Sequence, residues 1–116
     1  NNSWMHNVPV LVKGKDRCTL LVHPDDAEAH GLADGRPATV ASEAGAVVVP
    51  IEVTDAIARG VVSLPHGWGH GQPGTKLSVA NEHAGVNVNV LAPGAFVDEL
   101  SGNAAVNGIP VTVTSA

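Results

Sequence analysis

Short apolar runs with the two-residue period of strands dominate this chain. Residues 36–42 and 47–54 are two such runs, joined by the glycine-containing turn 43–46, and together they predict a β-hairpin. Pro50 within the second run predicts an edge position or a bulge, because proline cannot donate to a strand ladder. Further strands are predicted at residues 18–23, 61–65, 86–90 and 109–115.

A short helix is predicted over residues 24–30. Pro24 suits an early helical position, Asp25 and Asp26 favour the positive end of the helix dipole, and Gly31 ends the segment. The histidine before the proline, His23, is expected to pack against this helix or to cap it. Residues 77–85 are ambiguous between a strand and a loop.

Composition supports a β-dominated domain with an aliphatic interior. Hydrophobic residues make up 44% of the chain, yet Tyr is absent, Phe occurs once and Trp twice, so Val, Ala, Leu and Ile must fill the core. A length of 116 residues suits a single domain spanning 1–116. With six or so short strands and one small helix, the sequence predicts a mainly β fold closed into a barrel.

Charge and cysteine content exclude several classes of function. The formal net charge is −5, and the six Lys and Arg residues are scattered singly along the sequence, so nucleic acid is not an expected partner. No apolar run approaches the roughly 20 residues of a membrane span. The one cysteine, Cys18, cannot form an internal disulfide and is predicted to be a small apolar strand residue. We expect a cytoplasmic location.

Residues 61–70 carry the most conspicuous candidate chemistry. An apolar run passes directly into a loop where His66, Trp68 and His70 alternate with glycines, Gly67 among them. Glycines cost backbone entropy when they become ordered, and a core would gain nothing from this arrangement. The segment therefore predicts a loop that holds a ligand.

Two other segments could complete a pocket with this loop. Residues 1–7 mix amides, a hydroxyl, an indole, a thioether and an imidazole without a regular period, which predicts another loop. If the two loops meet, their imidazoles, indoles and amides would suit a flat heterocycle rich in hydrogen-bonding groups. On the predicted strand 86–90, Asn87 and Asn89 would share the face opposite the valines.

Local signatures of metal binding and catalysis are weak. His66 and His70 have the HxxxH spacing, but the intervening glycines and the preceding Pro65 oppose the helix that this spacing needs. The sequence contains no GxSxG elbow, no GxGxxG motif and no Walker pattern. No catalytic and no metal-ligating residue is predicted, and the chain alone is not expected to be catalytic.

Five segments in order carry a further signal: NNSWMHN (1–7), LLVHPDDAEAHGLADG (20–35), VVVPIEVTDAIARGVVSLPHGWGH (47–70), VNVNVL (86–91) and DELSGNAAVNGIPVTV (98–113). Together they resemble one family, the C-terminal molybdopterin-dinucleotide-binding domain of the molybdenum or tungsten oxidoreductases, and the resemblance covers nearly the whole chain. That family includes formate dehydrogenases and relatives of dimethyl sulfoxide reductase.

The resemblance implies a six-stranded double-psi β-barrel of the aspartate decarboxylase-like kind, with one or two short helices. It also implies that this barrel covers part of a molybdopterin guanine dinucleotide cofactor. Amides and imidazole edges match the alternating donors and acceptors of a pterin. The residues that similarity places on the cofactor are Ser3, Trp4, Met5, His6, Asn7, His66, Gly67, Trp68, Asn87 and Asn89.

The same resemblance implies a larger parent enzyme. The molybdenum or tungsten, and any iron-sulfur cysteines, would be held by other domains, which are then the expected partners of this chain. The missing initiator Met agrees with a fragment of a longer protein. Backbone N–H groups of glycine loops are expected to help bind the pyrophosphate where Lys and Arg are sparse. Residues 1–7 and 66–70 favour the formate dehydrogenase-like branch.

An alternative hypothesis belongs to a different class of function. The six histidines and the acidic net charge would also suit a free-standing small β-barrel that acts as an interaction module or binds a transition metal through histidine. A metal titration of variants lacking His66 and His70 separates this hypothesis from cofactor binding.

Overall fold

The computed structural model describes residues 3–95 and 97–116. Asn1 and Asn2 of the first resembling segment, and Phe96, therefore lie outside the described residues. The elements follow in the order 3₁₀ helix Ser3–Asn7, β1 Leu20–Val22, α1 Pro24–Ala29, β2 Pro37–Ala41, β3 Ala46–Val53, β4 Val62–Ser63, α2 Ser78–Glu82, 3₁₀ helix Val88–Leu91 and β5 Thr112–Ser115.

The strands form one sheet in the order β4-β1-β3-β2-β5. The predicted hairpin is confirmed as the antiparallel pair β2 and β3, whose register runs from Ala41 opposite Ala46 to Pro37 opposite Pro50. Beyond Pro50, β3 leaves β2 and pairs in parallel with β1. The two remaining strands pair antiparallel, β4 with β1 and β5 with β2.

Of the two alternatives predicted for Pro50, an edge position or a bulge, the edge position was wrong, because β3 is the middle strand of the sheet. Pro50 faces another proline, Pro37, at the last pair of the hairpin ladder. The next residue, Ile51, donates its backbone N–H to the carbonyl of Arg36 at 2.9 Å. The change of partner strand therefore falls where the backbone lacks two donors.

The core is aliphatic, as composition predicted. Along β3, Val49 and Ile51 are 1% and 2% exposed. Val48, on the opposite face of the strand, is 54% exposed, so one face of β3 is buried. This alternation fixes the register of the hairpin on the core. The buried cluster consists of Cys18, Leu20, Val22, Ala27, Ala38, Val40, Val49, Ile51 and Leu91.

Helix α1 confirms the predicted helix and the predicted role of His23. The Nδ1 atom of His23 accepts the backbone N–H of Asp25 at 3.2 Å and so caps the helix. At the other end, Gly31 has a φ of 64°, and Leu32 donates its N–H to the carbonyl of Ala27 at 2.8 Å. Leu32 then packs against the core, which anchors the helix to the sheet.

Two elements differ from the sequence predictions. The ambiguous segment 77–85 contains the helix α2. The predicted strand 86–90 was wrong, because Val88–Leu91 is a 3₁₀ helix. Asn87 caps it by accepting the N–H of Asn89 on its Oδ1 atom at 3.1 Å, a local bond that competes with strand pairing. Asn87 and Asn89 consequently do not share a strand face.

The fold class is mainly β with two short α-helices. Within residues 3–95 and 97–116 the sheet has five strands, because the sixth expected strand is replaced by the 3₁₀ helix at 88–91. None of the helices in these two ranges is long and apolar enough to cross a membrane.

Candidate functional site

Three rings from the two predicted loops meet at one place, as the sequence analysis proposed. The centroids of His6 and Trp68 lie 4.0 Å apart with an interplanar angle of 30°, and His6 meets His70 edge-on at 5.2 Å. The Nδ1 atom of His6 and the Nε2 atom of His70 are 2.9 Å apart. Because one of these nitrogens must accept, at least one of the two imidazoles is neutral in this arrangement.

Backbone hydrogen bonds hold the loop that carries Trp68 and His70. The carbonyl of Ala84 accepts the N–H groups of Gly69 at 2.8 Å and of His70 at 3.0 Å. Gly69 has a φ of 106°, and a Cβ atom on it would lie 2.7 Å from the Cβ atom of Asn87. The segment of Asn87 and Asn89, which was predicted to complete the pocket, therefore contacts the loop at Gly69. It does so from a 3₁₀ helix and its cap instead of from a strand.

A second glycine, Gly85, packs closely against Trp68. A Cβ atom on Gly85 would lie 2.9 Å from both the Cβ atom of Trp68 and the Sγ atom of Cys18. The thiol is buried and accepts the N–H of Val86 at 3.3 Å. Burial raises the pKa of the Cys18 thiol. Cys18 is therefore a buried residue of the core cluster against which Trp68 packs, and not a reactive thiolate.

Asn7 has a structural role that the sequence analysis missed. Its Oδ1 atom accepts the N–H groups of Val79 at 3.0 Å and Ala80 at 3.2 Å, so it caps the first turn of α2 from a distant part of the chain. Leu77, the local cap position, makes no side-chain cap bond. Asn7 can therefore offer only its amide nitrogen to a ligand.

We expect Asn7→Ala to lower the free energy of unfolding by about 0.5–2 kcal/mol, because α2 loses its only side-chain cap in the described part of the chain. Asn7→Asp is the matched control, since a carboxylate keeps the acceptor oxygen and suits a helix N-terminus. Urea unfolding of the two variants measures the difference. Equal losses in Asn7→Ala and Asn7→Asp would contradict a capping role.

The predicted site residues divide into two groups. Four of them, Met5, His6, His66 and Trp68, line one cavity with a volume of about 430 Å³. The other six do not line it. Those six are Ser3 and Trp4, which are exposed, the helix cap Asn7, the half-buried Gly67, and the exposed residues Asn87 and Asn89.

The same cavity contains cationic residues that the sequence analysis did not assign to a site. Lys13, Lys15 and Arg17 line it together with Asp16 and His83. The six Lys and Arg residues lie singly along the sequence, but half of them border one cavity in the folded chain. The expectation that the basic residues are scattered was therefore wrong for the folded structure. The spacing of the three lining residues at alternate positions over residues 13–17 is the signal in the sequence that could have indicated this cluster.

Burial lowers the pKa of the His6 imidazole, and the neighbouring His70 lowers it further. A histidine whose pKa is lower in the folded state contributes stability that is present at neutral pH and is lost as the pH falls through the ordinary histidine range near about 6.5. Double protonation would also break the bond between the two rings.

We therefore expect the free energy of unfolding to fall between pH 7 and pH 5 more steeply in the wild type than in His6→Gln. His30→Gln is the matched control, because His30 is exposed at the end of α1 and should leave the wild-type slope unchanged. Urea unfolding across this pH range, with an NMR titration of the His6 ring, provides the measurement. If the free energy of unfolding of His6→Gln falls between pH 7 and pH 5 as steeply as that of the wild type, the pH dependence does not come from His6.

The arrangement of histidines does not favour the alternative of a His-based metal site. His70 is 6% exposed and bonded to His6, whereas His66 is exposed, so the HxxxH pair is split between two environments. In residues 3–95 and 97–116, no three His, Cys, Asp or Glu side chains are grouped so that they could hold a metal ion.

The fold and the site define a class of protein: a mainly β domain whose cavity combines imidazoles, an indole and cationic side chains, a composition that suits a flat anionic cofactor. The family model described as Molydopterin dinucleotide binding domain matches residues 1–110, and the chain belongs to this family.

Two relatives are much longer than this chain. Dimethyl sulfoxide/trimethylamine N-oxide reductase of Rhodobacter capsulatus is 36% identical over 78 residues, which are 66% of this chain and 9% of that protein. Biotin sulfoxide reductase of Cereibacter sphaeroides is 40% identical over 55 residues, covering 47% of this chain and 7% of that protein. The chain thus matches less than a tenth of the length of either relative.

A solved structure with a similar fold supports the architecture. Acetylene hydratase from Pelobacter acetylenicus superposes on the whole of this chain with a TM-score of 0.81 and 21% sequence identity. The match covers 16% of the hydratase chain, so the likeness concerns a small part of that protein.

Proposed function

We propose that this chain covers the pterin part of molybdopterin guanine dinucleotide with the wall formed by His6, His66 and Trp68. The observation that carries the proposal is the stacking of His6 on Trp68 at the border of a cavity of about 430 Å³. This volume lies within the range of small-molecule sites, roughly 300–1,000 Å³.

The side chains of the cavity offer a pterin both aromatic contacts and hydrogen bonds. One face of Trp68 is already covered by His6, so a pterin would meet the indole at its edge or its other face. His66 makes no hydrogen bond to any residue in 3–95 or 97–116, and the Nε2 atom of His6 is not used in its bond to His70. These imidazole atoms can pair with the donors and acceptors of the heterocycle.

The proposal extends to a parent oxidoreductase in which other domains hold the molybdenum or tungsten. When bound there, the metal would supply the redox chemistry, while this chain's residues bind and shield the organic part of the cofactor. The short share of each relative that the chain covers supports this division of roles. The family match and the TM-score support a double-psi barrel as the complete form of the sheet.

For the parent we propose the formate dehydrogenase branch, on the sequences of residues 1–7 and 66–70. Assays of the full-length gene product with formate, and with dimethyl sulfoxide as the competing substrate, test this step. We also propose a cytoplasmic location, with which the single buried cysteine is compatible.

The binding proposal is tested by titrating the ¹⁵N-labelled chain with 6-carboxypterin and, separately, with GDP. We expect millimolar pterin binding that shifts the Trp68 indole and the amides around His6, because only part of the cofactor site belongs to this chain. His66→Ala should weaken pterin binding by roughly 3- to 10-fold, the value of one net hydrogen bond.

His30→Ala is the matched control, since it removes an exposed imidazole that does not line the cavity. Equal affinities of His66→Ala, His30→Ala and the wild type would contradict the assigned wall. Shifts confined to α1 would contradict pterin binding at this cavity altogether.

A further inference from the structure

Asn107 is followed by Gly108, and this pair is the one Asn-Gly sequence in the 116 residues. Both residues are exposed, and they lie between the bridge of Val97 with Ala104 and the last strand, β5. An asparagine side chain can be attacked by the backbone nitrogen of the next residue, and a glycine leaves that nitrogen open because it has no Cβ atom. The pair is therefore a candidate for chemical modification without an enzyme.

The atoms that would react have no competing hydrogen bonds in the described part of the chain. Within residues 3–95 and 97–116, neither the side-chain amide of Asn107 nor the backbone N–H of Gly108 bonds to another residue. A Cβ atom on Gly108 would meet nothing within 4 Å, so the approach to its nitrogen is open. Its φ of 70° also means that the backbone itself favours glycine at this position.

We propose that Asn107 is a site of spontaneous deamidation and isoaspartate formation. The backbone nitrogen of Gly108 loses its proton to hydroxide and bonds to the side-chain carbonyl carbon of Asn107, and the amide leaves as ammonia with a proton from water. The cyclic succinimide then takes up one water. Opening at the side-chain bond gives aspartate, and opening at the main-chain bond gives isoaspartate. Water is the only co-reactant, and the net reaction releases one ammonia.

A second pair that could form the same cyclic intermediate, Asp34-Gly35, is held in a way that opposes the reaction. The Oδ1 atom of Asp34 accepts the N–H of Val53 at 2.8 Å. The N–H of Gly35 donates to the carbonyl of Ile51 at 2.9 Å. Because attack would have to break both bonds, we expect Asp34 to stay unmodified while Asn107 reacts. The chain thus provides its own structural comparison.

The position of Asn107 gives the modification a structural consequence. A cavity of about 160 Å³ is lined by residues of the segment 106–111 and by the buried core residues Leu20 and Leu91. Isoaspartate adds one methylene group to the main chain within this segment, and one negative charge beside its apolar lining. We expect the longer main chain to loosen the packing of Val111 on the core and the pairing of β5 with β2.

This site is independent of the proposed function, because neither Asn107 nor Gly108 lines the cavity that contains His6 and Trp68. Its modification can therefore be measured whether or not the chain binds a pterin. A failure of the pterin titration leaves this inference intact, and a stable Asn107 leaves the proposed function intact.

Incubation of the chain at mildly alkaline pH, followed by peptide mapping with mass spectrometry, tests the site. We expect Asn107 to convert at least about tenfold faster than the other asparagines, since thermolabile asparagines differ mainly in the residue that follows them. Asn107→Gln should remove most of the acidic product, because ring closure from the longer side chain is slow. Asn103→Gln is the matched control, since Asn103 is exposed in the same segment but precedes alanine.

Three results would overturn the proposal. The first is conversion of Asn107 no faster than that of Asn103. The second is a product that contains aspartate alone, since direct hydrolysis of the amide gives no isoaspartate. The third is isomerisation of Asp34 as fast as conversion of Asn107, which would show that the hydrogen bonds do not decide the reactivity. Equal rates of acidic-product formation in Asn103→Gln and the wild type support the site.

Hydrogen exchange tests the structural consequence separately. The purified isoaspartyl form is compared with Asn107→Asp, which carries the same charge on an unchanged main chain. We expect the amides of β5 to exchange at least about threefold faster in the isoaspartyl form, because its longer main chain weakens the local packing. Equal exchange in the two proteins would contradict this consequence.

Discussion

Leu20→Ala should lower the free energy of unfolding by about 2–5 kcal/mol, the range measured for large-to-small changes in a core that cannot collapse. Leu20 is fully buried in β1, between β3 and β4, and belongs to the buried cluster against which the sheet packs. A domain of this size has only about 5–15 kcal/mol of stability, so the variant should be partly unfolded on mild heating.

Leu100→Ala is the matched control for this change. The substitution is the same, but Leu100 is 99% exposed, so the variant should stay within about 0.5 kcal/mol of the wild type. Urea unfolding followed by circular dichroism gives both values. Similar losses in Leu20→Ala and Leu100→Ala would contradict the position of the core.

Gly69→Ala is expected to disturb the packing of the three rings His6, Trp68 and His70. At a φ of 106°, an L-residue is strained, which costs about 1–3 kcal/mol, and the new Cβ atom would also lie 2.7 Å from the Cβ atom of Asn87. Either the loop or the 3₁₀ turn must move. We expect lower stability together with a changed indole signal for Trp68 and weaker pterin binding.

Gly71→Ala separates these effects from a general cost of replacing glycine in this loop. A Cβ atom on Gly71 meets only the Cβ atom of Ala84, at an ordinary contact distance of 3.5 Å. This variant should keep the Trp68 signal and lose little stability. A Gly69→Ala variant as stable as Gly71→Ala, with an unchanged indole spectrum, would contradict the close approach.

The parts of the fold that local rules determine could be predicted from the sequence. The hairpin of β2 and β3 follows from two β-branched runs and a short turn, and α1 follows from His23, Pro24 and the two aspartates. The meeting of His6 with Trp68 could be proposed only as a condition, because nothing local brings such distant residues together. Family resemblance supplied the reason to expect it.

The wrong strand at 86–90 and the ambiguity of 77–85 share a physical cause: a side chain that hydrogen-bonds the backbone where the hydrophobic pattern gives no signal. Asn87 turns an alternating segment into a 3₁₀ helix with one bond to the N–H of Asn89. Asn7 caps α2 across 72 residues, so the helix has no local N-terminal signal. The basic cavity was missed because charge was counted along the chain and not across the surface.

The contacts around Ala84 join distant segments into one cooperative unit. Asn7 holds the start of α2, the carbonyl of Ala84 holds Gly69 and His70, and His70 bonds back to His6. Releasing any one of these contacts removes support from the next. In native-state hydrogen exchange, the amides of Gly69 and His70 should therefore open with a single free energy, and a ligand on His6 should slow both by the same factor.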